Sequence, residues 1–487
     1  MIYRFLFAIV CLSLVSGCHS NKNSLTHPPI AMDSYVVIAD DNPTYFELSD
    51  HTPYIPIGLN LIAPGSTTRQ DEDKAMAEVE GWMKALSENG GNYVRIWLSN
   101  SFWDIEHERA GVYDEAKVRR IDRFLGLARK YGLRVKMTVE HFRALTPEES
   151  SQSWALKSVY HKSKGGPLDS IGQYISTPAG HALLLKKLDF YQKRYGDDPR
   201  IFGWELWNEM NAMRIPTDSA FFAWNIKMLA ALKERFPKNL AMQSLGSFDN
   251  PKVRDTYKTL MAMPGNEVAQ IHRYLDLGAP MEICHGPMDI ICADAVRELL
   301  SYHNAKPVIL AETGAVEPGH AGPSQYYPLD TVGIILHDAL FAPFFSGAAG
   351  AGMIWHWDQY VANNNLWHHF DRFAQVVEGL NPVTQQLKPL YYETKDLRVY
   401  GLRGTHVFLM WCRDKQNTWE SELKDGIAPR SINHSVLNLD EFIGPSGLES
   451  LQSFDPWKNH WQDLDAGQTQ LILPDFQRSI IVKGVMK

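Results

Sequence analysis

Eight short apolar runs rich in β-branched and aromatic residues recur along the chain, with amphipathic helical patterns between them. The runs are 54–60, 92–98, 133–139, 201–207, 240–244, 268–274, 307–314 and 350–357. The run at 240–244 is poor in β-branched residues and is the weakest of them. Helical patterns occupy 71–89, 114–131, 178–195, 218–236, 288–303, 326–345 and 370–380. Acidic residues open the first of these and Pro178 opens the third, both signals of a helix start. Strands alternating with helices bury a parallel sheet under a helical layer. At this chain length the pattern predicts an α/β fold built on a closed (β/α)8 TIM barrel over 34–390. A doubly wound open sheet is the alternative. It normally carries a glycine-rich nucleotide turn after its first strand, and Asn60-Leu61-Ile62-Ala63-Pro64-Gly65 is not one. Alternation over 35–48, interrupted by Asp40-Asp41-Asn42-Pro43, predicts a hairpin that plugs the bottom of the barrel.

Beyond 390 the helical patterns stop. Short strands are expected at 396–401, 405–412, 435–439, 451–454, 469–473 and 479–485, with turn residues between them. They predict a β-sandwich domain over 391–487.

The head of the chain reads as a targeting segment. Arg4 precedes an apolar run over 5–15, followed by Ser16-Gly17-Cys18. The run is too short to span a bilayer and matches a signal-peptide core. Val15-Ser16-Gly17-Cys18 resembles a bacterial lipobox, which predicts a signal peptide over 1–18, lipidation at Cys18 and a tether over 19–33. A plain secretory signal with a chance cysteine is the alternative. His19, not Asp, follows the cysteine, so the expected location is the outer membrane, facing the periplasm or the surface. No later stretch reaches the roughly 18 uncharged apolar residues of a spanning helix.

A net charge of −8 spread without long runs gives no basis for a nucleic-acid partner. Fourteen Trp and twenty Tyr mostly furnish core, and they also suit the aromatic platforms of carbohydrate clefts. Of five Cys, Cys284 and Cys292 lie close enough in sequence for a disulfide in an exported protein, and Cys412 reads as an inert strand thiol. No Cys/His spacing resembles a zinc site.

Two apolar runs end in a glutamate: Gly203-Trp204-Glu205-Leu206-Trp207-Asn208-Glu209 and Pro307-Val308-Ile309-Leu310-Ala311-Glu312. Burying an unpaired carboxylate is costly, so a core strand carries one at its end only when it is paired or used. In a (β/α)8 barrel the carboxyl ends of the strands converge on one site. Standing there are Asn60, Arg95, Trp97, Glu140, His141, Asn208, Glu209, His272, Tyr274, Glu312, Trp355 and His356. Two carboxyls with pKa values split by a shared, partly dry site are what glycoside hydrolysis requires. Glu205 shares a strand face with Glu209 and reads as a structural partner rather than a catalytic group.

Over 35–390 the chain resembles the clan A glycoside hydrolases, and within them the family 5 cellulase- and mannanase-like enzymes. The resemblance rests on Asn208-Glu209 ending the fourth strand, Glu312 ending the seventh, and His272-Arg273-Tyr274 at the sixth. It implies that Glu209 is the general acid/base and Glu312 the nucleophile, with net retention. Asn208 would bond the sugar 2-hydroxyl, Tyr274 and Arg95 would attend Glu312, His272 would contact substrate or acid/base, and Trp355 would lie beneath the sugar. His141 either joins this substrate-binding set or is a loop histidine; Arg95 and Trp355 likewise have bland readings, as a counter-ion and as packing. Met210 stands where Pro usually follows Asn-Glu, and Glu140-His141 where His-Asn is common. Trp103, Trp154, Trp367 and His368 in the long loops either line sugar subsites or pin those loops. The expectation is a retaining β-glycosidase acting on a polysaccharide or oligosaccharide, without metal or organic cofactor. An exo-acting β-mannosidase, β-galactosidase or β-glucosidase, and a sugar-binding lipoprotein without catalysis, are the alternatives.

Overall fold

Helix-start chemistry is satisfied where the sequence places it. Asp71 accepts from the Lys74 amide at the head of Glu72–Glu88. Thr177 accepts from Gly180 ahead of Pro178–Tyr195, whose first residue is the expected proline. The structure is a computed structural model that describes residues 32–141 and 158–487, apart from 214, 216, 303, 304, 441, 444–446, 468 and 469. The leader, Cys18, nearly all of the tether and Trp154 lie outside the described residues. Among the described residues no helix is long and apolar enough to cross a membrane.

Five strands, Gly58–Asn60, Tyr93–Trp97, Arg134–Glu140, Ile201–Trp207 and Leu240–Met242, pair in parallel and in sequence order. Ala269–His272 and Val308–Glu312 form a second parallel pair. The two sheets are linked where Glu267 N–H donates to Ala241 O (2.9 Å) and Phe248 N–H to His272 O (2.8 Å). The eighth run forms no extended strand. It bonds on one side through Met353 to Leu310 (3.0 Å) and Trp355 to Thr313 (2.9 Å), and on the other through Ala351 to Pro56 (3.0 Å) and Asn60 to Ile354 (3.1 Å). Gly350 lets this segment approach the first strand: a Cβ there would sit 2.5 Å from Pro56 O. A helix at Arg254–Ala262, absent from the sequence reading, precedes Ala269–His272.

Every residue of Ile201–Trp207 is buried, so both faces of the strand must be matched. Trp204 stacks on Phe236 with ring centroids 4.3 Å apart, while Glu205 bonds to residues of the neighbouring strands. Phe202 packs edge-on against Phe46 and Tyr93, each at 5.2 Å, which seats the hairpin Val36–Ile38/Phe46–Leu48 at the amino ends of the strands.

The C-terminal region is a six-stranded antiparallel ladder in the order Lys388–Glu393, Leu397–Arg403, Val407–Asp414, Ser479–Met486, Leu448–Asp455, His460–Asp463. Lys388–Glu393 spans the boundary expected at 390. Along Val407–Asp414 the side chains alternate between two cores. Phe408, Met410 and Cys412 enter one with Leu437 and Leu471 from a short two-stranded ladder, and Leu409 and Trp411 join the main core. The fully buried helix Ile334–Phe345 lies beneath this sheet. Two buried ion pairs cross between them and their neighbours: Asp338 with Arg413 (2.8 Å) and Asp289 with Arg398 (2.5 Å), the latter also accepting from Tyr400 (2.8 Å). Cys284 and Cys292 are free, buried thiols, which corrects the disulfide considered above. Cys292 lies on the helix Met288–Leu300 with its Sγ 3.5 Å from Thr313 Oγ1, whereas Cys284 belongs to the turn Glu282–His285. Cys412 is likewise a buried free thiol.

Candidate active site

The fourth strand ends on a residue that leaves the β region. Glu209 has φ of 50°, a left-handed conformation that costs a non-glycine residue about 1–2 kcal/mol. Its amide donates to Ser244 Oγ (3.3 Å), and the preceding amide, Asn208, to Glu140 O (2.8 Å). The seventh strand delivers Glu312, almost fully buried. Oxygens of Glu209 and Glu312 and a ring nitrogen of His272 all lie within 4.8 Å of one another.

His272 stands between the two acids. Its Nδ1 is 2.7 Å from Glu209 Oε1 and 3.4 Å from Glu312 Oε2. Tyr274 donates to Glu312 Oε2 (2.8 Å) and Arg95 NH1 to Oε1. Arg95 uses its remaining donors on Glu205 (2.5 Å), Asn208 Oδ1 (2.6 Å), Thr138 Oγ1 (3.1 Å) and Asn60 Oδ1 (3.2 Å). Asn60 in turn donates to the carbonyls of Ala311, Met353 and Ile354, fixing the first strand to the seventh and eighth segments. Two buried polar atoms, Asn208 Nδ2 and His272 Nε2, have no protein partner. A buried donor left without one is costly, so these atoms are poised for a ligand.

The electrostatics separate the two acids. Burial and then the charge of Glu312 push the Glu209 carboxyl well above the usual carboxylate range, against the pull of Arg95. Burial also lifts Glu312, but Arg95 and the Tyr274 hydroxyl oppose it. Glu209 therefore keeps a proton when Glu312 has lost its own. Burial and the nearby Arg95 hold His272 well below its ordinary value, so its ring is neutral. Arg95 already supplies the positive charge at Glu312, which makes this the arrangement of an acid pair rather than of a metal centre.

His141 and Trp355 stand in an aromatic row. Trp97 lies 4.7 Å from the His141 ring and 5.0 Å from Trp355, and the Arg95 guanidinium sits 5.8 Å from the Trp97 ring. His141 Nδ1 lies 2.5 Å from Ser99 Oγ. Trp355 is half-buried and thus open to a ligand, whereas Trp103 is wholly buried and donates to Ile62 O (2.9 Å), so it pins its loop. Trp367 packs on Phe370 at 6.2 Å. Glu140 is buried and accepts from Lys187 (2.5 Å). The structure thus brings Glu209, Glu312, Asn208, Arg95, His272 and Tyr274 into one bonded cluster with the aromatic row beside it.

Sequence reasoning missed what lies at the rim and beneath. Asp249, Asp276 and His320 meet within 4.8 Å of one another, with His320 edge-on to Tyr274 at 5.1 Å. Below the site, Lys136, Thr138 and Gln270 surround Glu205. In sequence Lys136 and Thr138 alternate with apolar residues as on a half-solvated strand, so no local signal marks them.

No family model matches the chain. In sequence it is similar to mannan endo-1,4-beta-mannosidase 7 of Arabidopsis thaliana, 24% identical over 296 residues, which is 55% of this chain and 66% of the relative. Mannan endo-1,4-beta-mannosidase 1 of Oryza sativa subsp. japonica is 23% identical over 351 residues, 63% of this chain and 75% of the relative. The match spans just under two thirds of the first two curated relatives, 66% and 64% of their lengths. In structure the chain is similar to a solved glycoside hydrolase, with TM-score 0.60 at 13% identity over 95% of this chain and 99% of the other. It is also similar to a glycoside hydrolase family 5 protein from Bacteroides vulgatus, with TM-score 0.58 at 13% identity over 95% of each chain. At such identities the likeness establishes the fold.

Proposed function

We propose that this protein is a retaining glycoside hydrolase of the family 5, mannanase-like kind, cleaving internal β-1,4 bonds of a mannan-type polysaccharide from a closed (β/α)8 barrel. The observation that carries the reading is the approach of Glu209 and Glu312 within 4.8 Å, one raised and protonated, the other held by Arg95 and Tyr274. Retaining enzymes hold their carboxyls about 5–5.5 Å apart, and inverting enzymes hold them further apart. The plant relatives supply the sugar, and the bonds that the eighth segment makes to both the first and seventh strands support closure.

The reaction follows from the placement. A Glu312 oxygen attacks the anomeric carbon while the glycosidic C–O bond breaks and the Glu209 proton passes to the leaving oxygen. Water then attacks the same carbon, Glu209 takes its proton, and the bond to Glu312 breaks. Neutral His272 holds Glu209 Oε1 towards the cleft. Asn208 Nδ2, without a protein partner, is free to bond a sugar hydroxyl, and half-buried Trp355 offers a face beneath the ring.

The test is reducing-sugar release across a polysaccharide panel, wild type beside Glu312→Ala. Release from mannan that the variant lacks supports the proposal. Activity on short aryl glycosides alone would favour the exo-acting alternative, and binding without product would favour a sugar-binding protein. The barrel over 34–390 and a sandwich over 391–487 are proposed as its two domains.

The lipobox reading supports a further part of the proposal: a lipid anchor at Cys18 and residence at the outer membrane of a bacterial envelope. Radiolabelled palmitate should enter the wild type and not Cys18→Ala; equal labelling would overturn the anchor.

A further inference from the structure

The cluster beneath the site holds a second cation that the reaction does not touch. Lys136, on Arg134–Glu140, is wholly buried, and its Nζ lies 3.0 Å from Glu205 Oε1. It also donates to Gln270 Oε1, while Gln270 Nε2 donates back to Glu205 Oε1 (3.3 Å). The other Glu205 oxygen accepts from Thr138 Oγ1 (2.6 Å) and from Arg95 NH2 (2.5 Å). Arg95 is thus shared by two carboxylates, Glu205 below and Glu312 above.

Charge balance decides what such sharing allows. With Glu209 protonated, the ionised groups of the cluster are Arg95 and Lys136 against Glu205 and Glu312, two charges of each sign. Remove Lys136, and one guanidinium must serve two buried carboxylates. Burial pulls Glu205 upward, yet the charges of Arg95 and Lys136 outweigh it and hold that carboxyl far below the ordinary range. Glu205 would then keep its claim on Arg95, and the deficit would fall on Glu312. The groups facing Glu312 from the surrounding strands are Arg95 and Tyr93 on the second, Lys136 on the third, Glu205 and Glu209 on the fourth, and His272 and Tyr274 at the sixth.

We infer that Lys136 is a positioning residue for the nucleophile: by neutralising Glu205 from below, it frees the charge of Arg95 to keep Glu312 ionised. The inference rests on the glycosidase reading for its link to catalysis, but not for its electrostatics. Lys136 itself is drawn down to about 7 by burial and by Arg95, against Glu205, so its share of the balance is lost as pH rises through about 7.

The test uses the full chain with glutamate labelled at its side-chain carboxyl carbon, the Glu312 signal being assigned by its loss in Glu312→Gln. In Lys136→Met the Glu312 titration should move up by about one pH unit, and the acidic limb of kcat/KM on mannan with it. Glu205→Gln removes the competing carboxylate and should move both the other way. The double variant should return them towards wild type. A purely structural Lys136 would lower stability without shifts of opposite sign. An unmoved Glu312 titration in Lys136→Met, or a double variant displaced as far as the single, overturns the inference. If Lys136→Met does not fold, an unmoved or raised titration in Glu205→Gln overturns it alone. If wild type cleaves no glycan, the glycosidase reading fails while the carboxyl titrations still decide the role of Lys136.

Discussion

Replacing Tyr274 by Phe removes one hydroxyl and little else. That hydroxyl donates to Glu312 Oε2 at 2.8 Å in a buried site, so no solvent stands ready to replace it. A hydrogen bond to a charged group contributes about 1.5–3 kcal/mol net. The bond favours the ionised form of Glu312, so its loss raises the pKa of that carboxyl, by about one to two pH units at 1.36 kcal/mol per unit. The acidic limb of kcat/KM should move to higher pH by that amount. Well below the limb, Tyr274→Phe should be roughly 10- to 160-fold slower than wild type. Above it, where Glu312 is ionised in both proteins, the two should converge. The assay is kcat/KM against pH on a soluble mannan oligosaccharide. A limb that stays in place, or a loss uniform across pH, would refute the reasoning.

Glu209→Ala should lose about a hundred- to ten-thousand-fold on mannan, much less on a dinitrophenyl glycoside, and added azide should rescue it as the glycosyl azide; equal loss on both substrates would count against the acid/base role. Trp355→Ala should raise KM more than it lowers kcat, as the proposed place of the half-buried ring beneath the sugar, away from the reacting bond, requires. Asp289→Asn leaves Arg398 buried without its counter-ion and should cost about 3–5 kcal/mol in urea unfolding, whereas Asp289→Leu with Arg398→Met should cost far less.

Much of this site is legible in the sequence because its key residues violate local rules. Glu209 and Glu312 end apolar runs where a carboxylate has no packing use, and Tyr274 and His272 close a third run in the same way. Lys136 and Thr138 are illegible for the opposite reason. In Arg134-Val135-Lys136-Met137-Thr138-Val139 they alternate with apolar residues, as on an ordinary half-solvated strand. Only the helices covering the outside force the polar set inward, and that is a tertiary fact. The eighth run reads as a strand through Ile354 to Trp357, but Gly350 and Gly352 give it little β character, and it holds its place by scattered bonds. Lys388–Glu393 is hidden in the sequence because Pro389 and two terminal charges argue against a strand; it is an edge strand, where proline is tolerated. The rim group of Asp249, Asp276 and His320 comes from three separate loops, and no spacing in the sequence joins them.

Covalent trapping reaches the central claim most directly. The protein would be incubated with a 2-deoxy-2-fluoro-β-mannosyl fluoride, digested, and its peptides weighed. Two-step displacement predicts a single fluorosugar adduct on Glu312, absent from Glu312→Gln. An adduct on another residue, or none at all from an enzyme that hydrolyses mannan with inversion, would contradict the account.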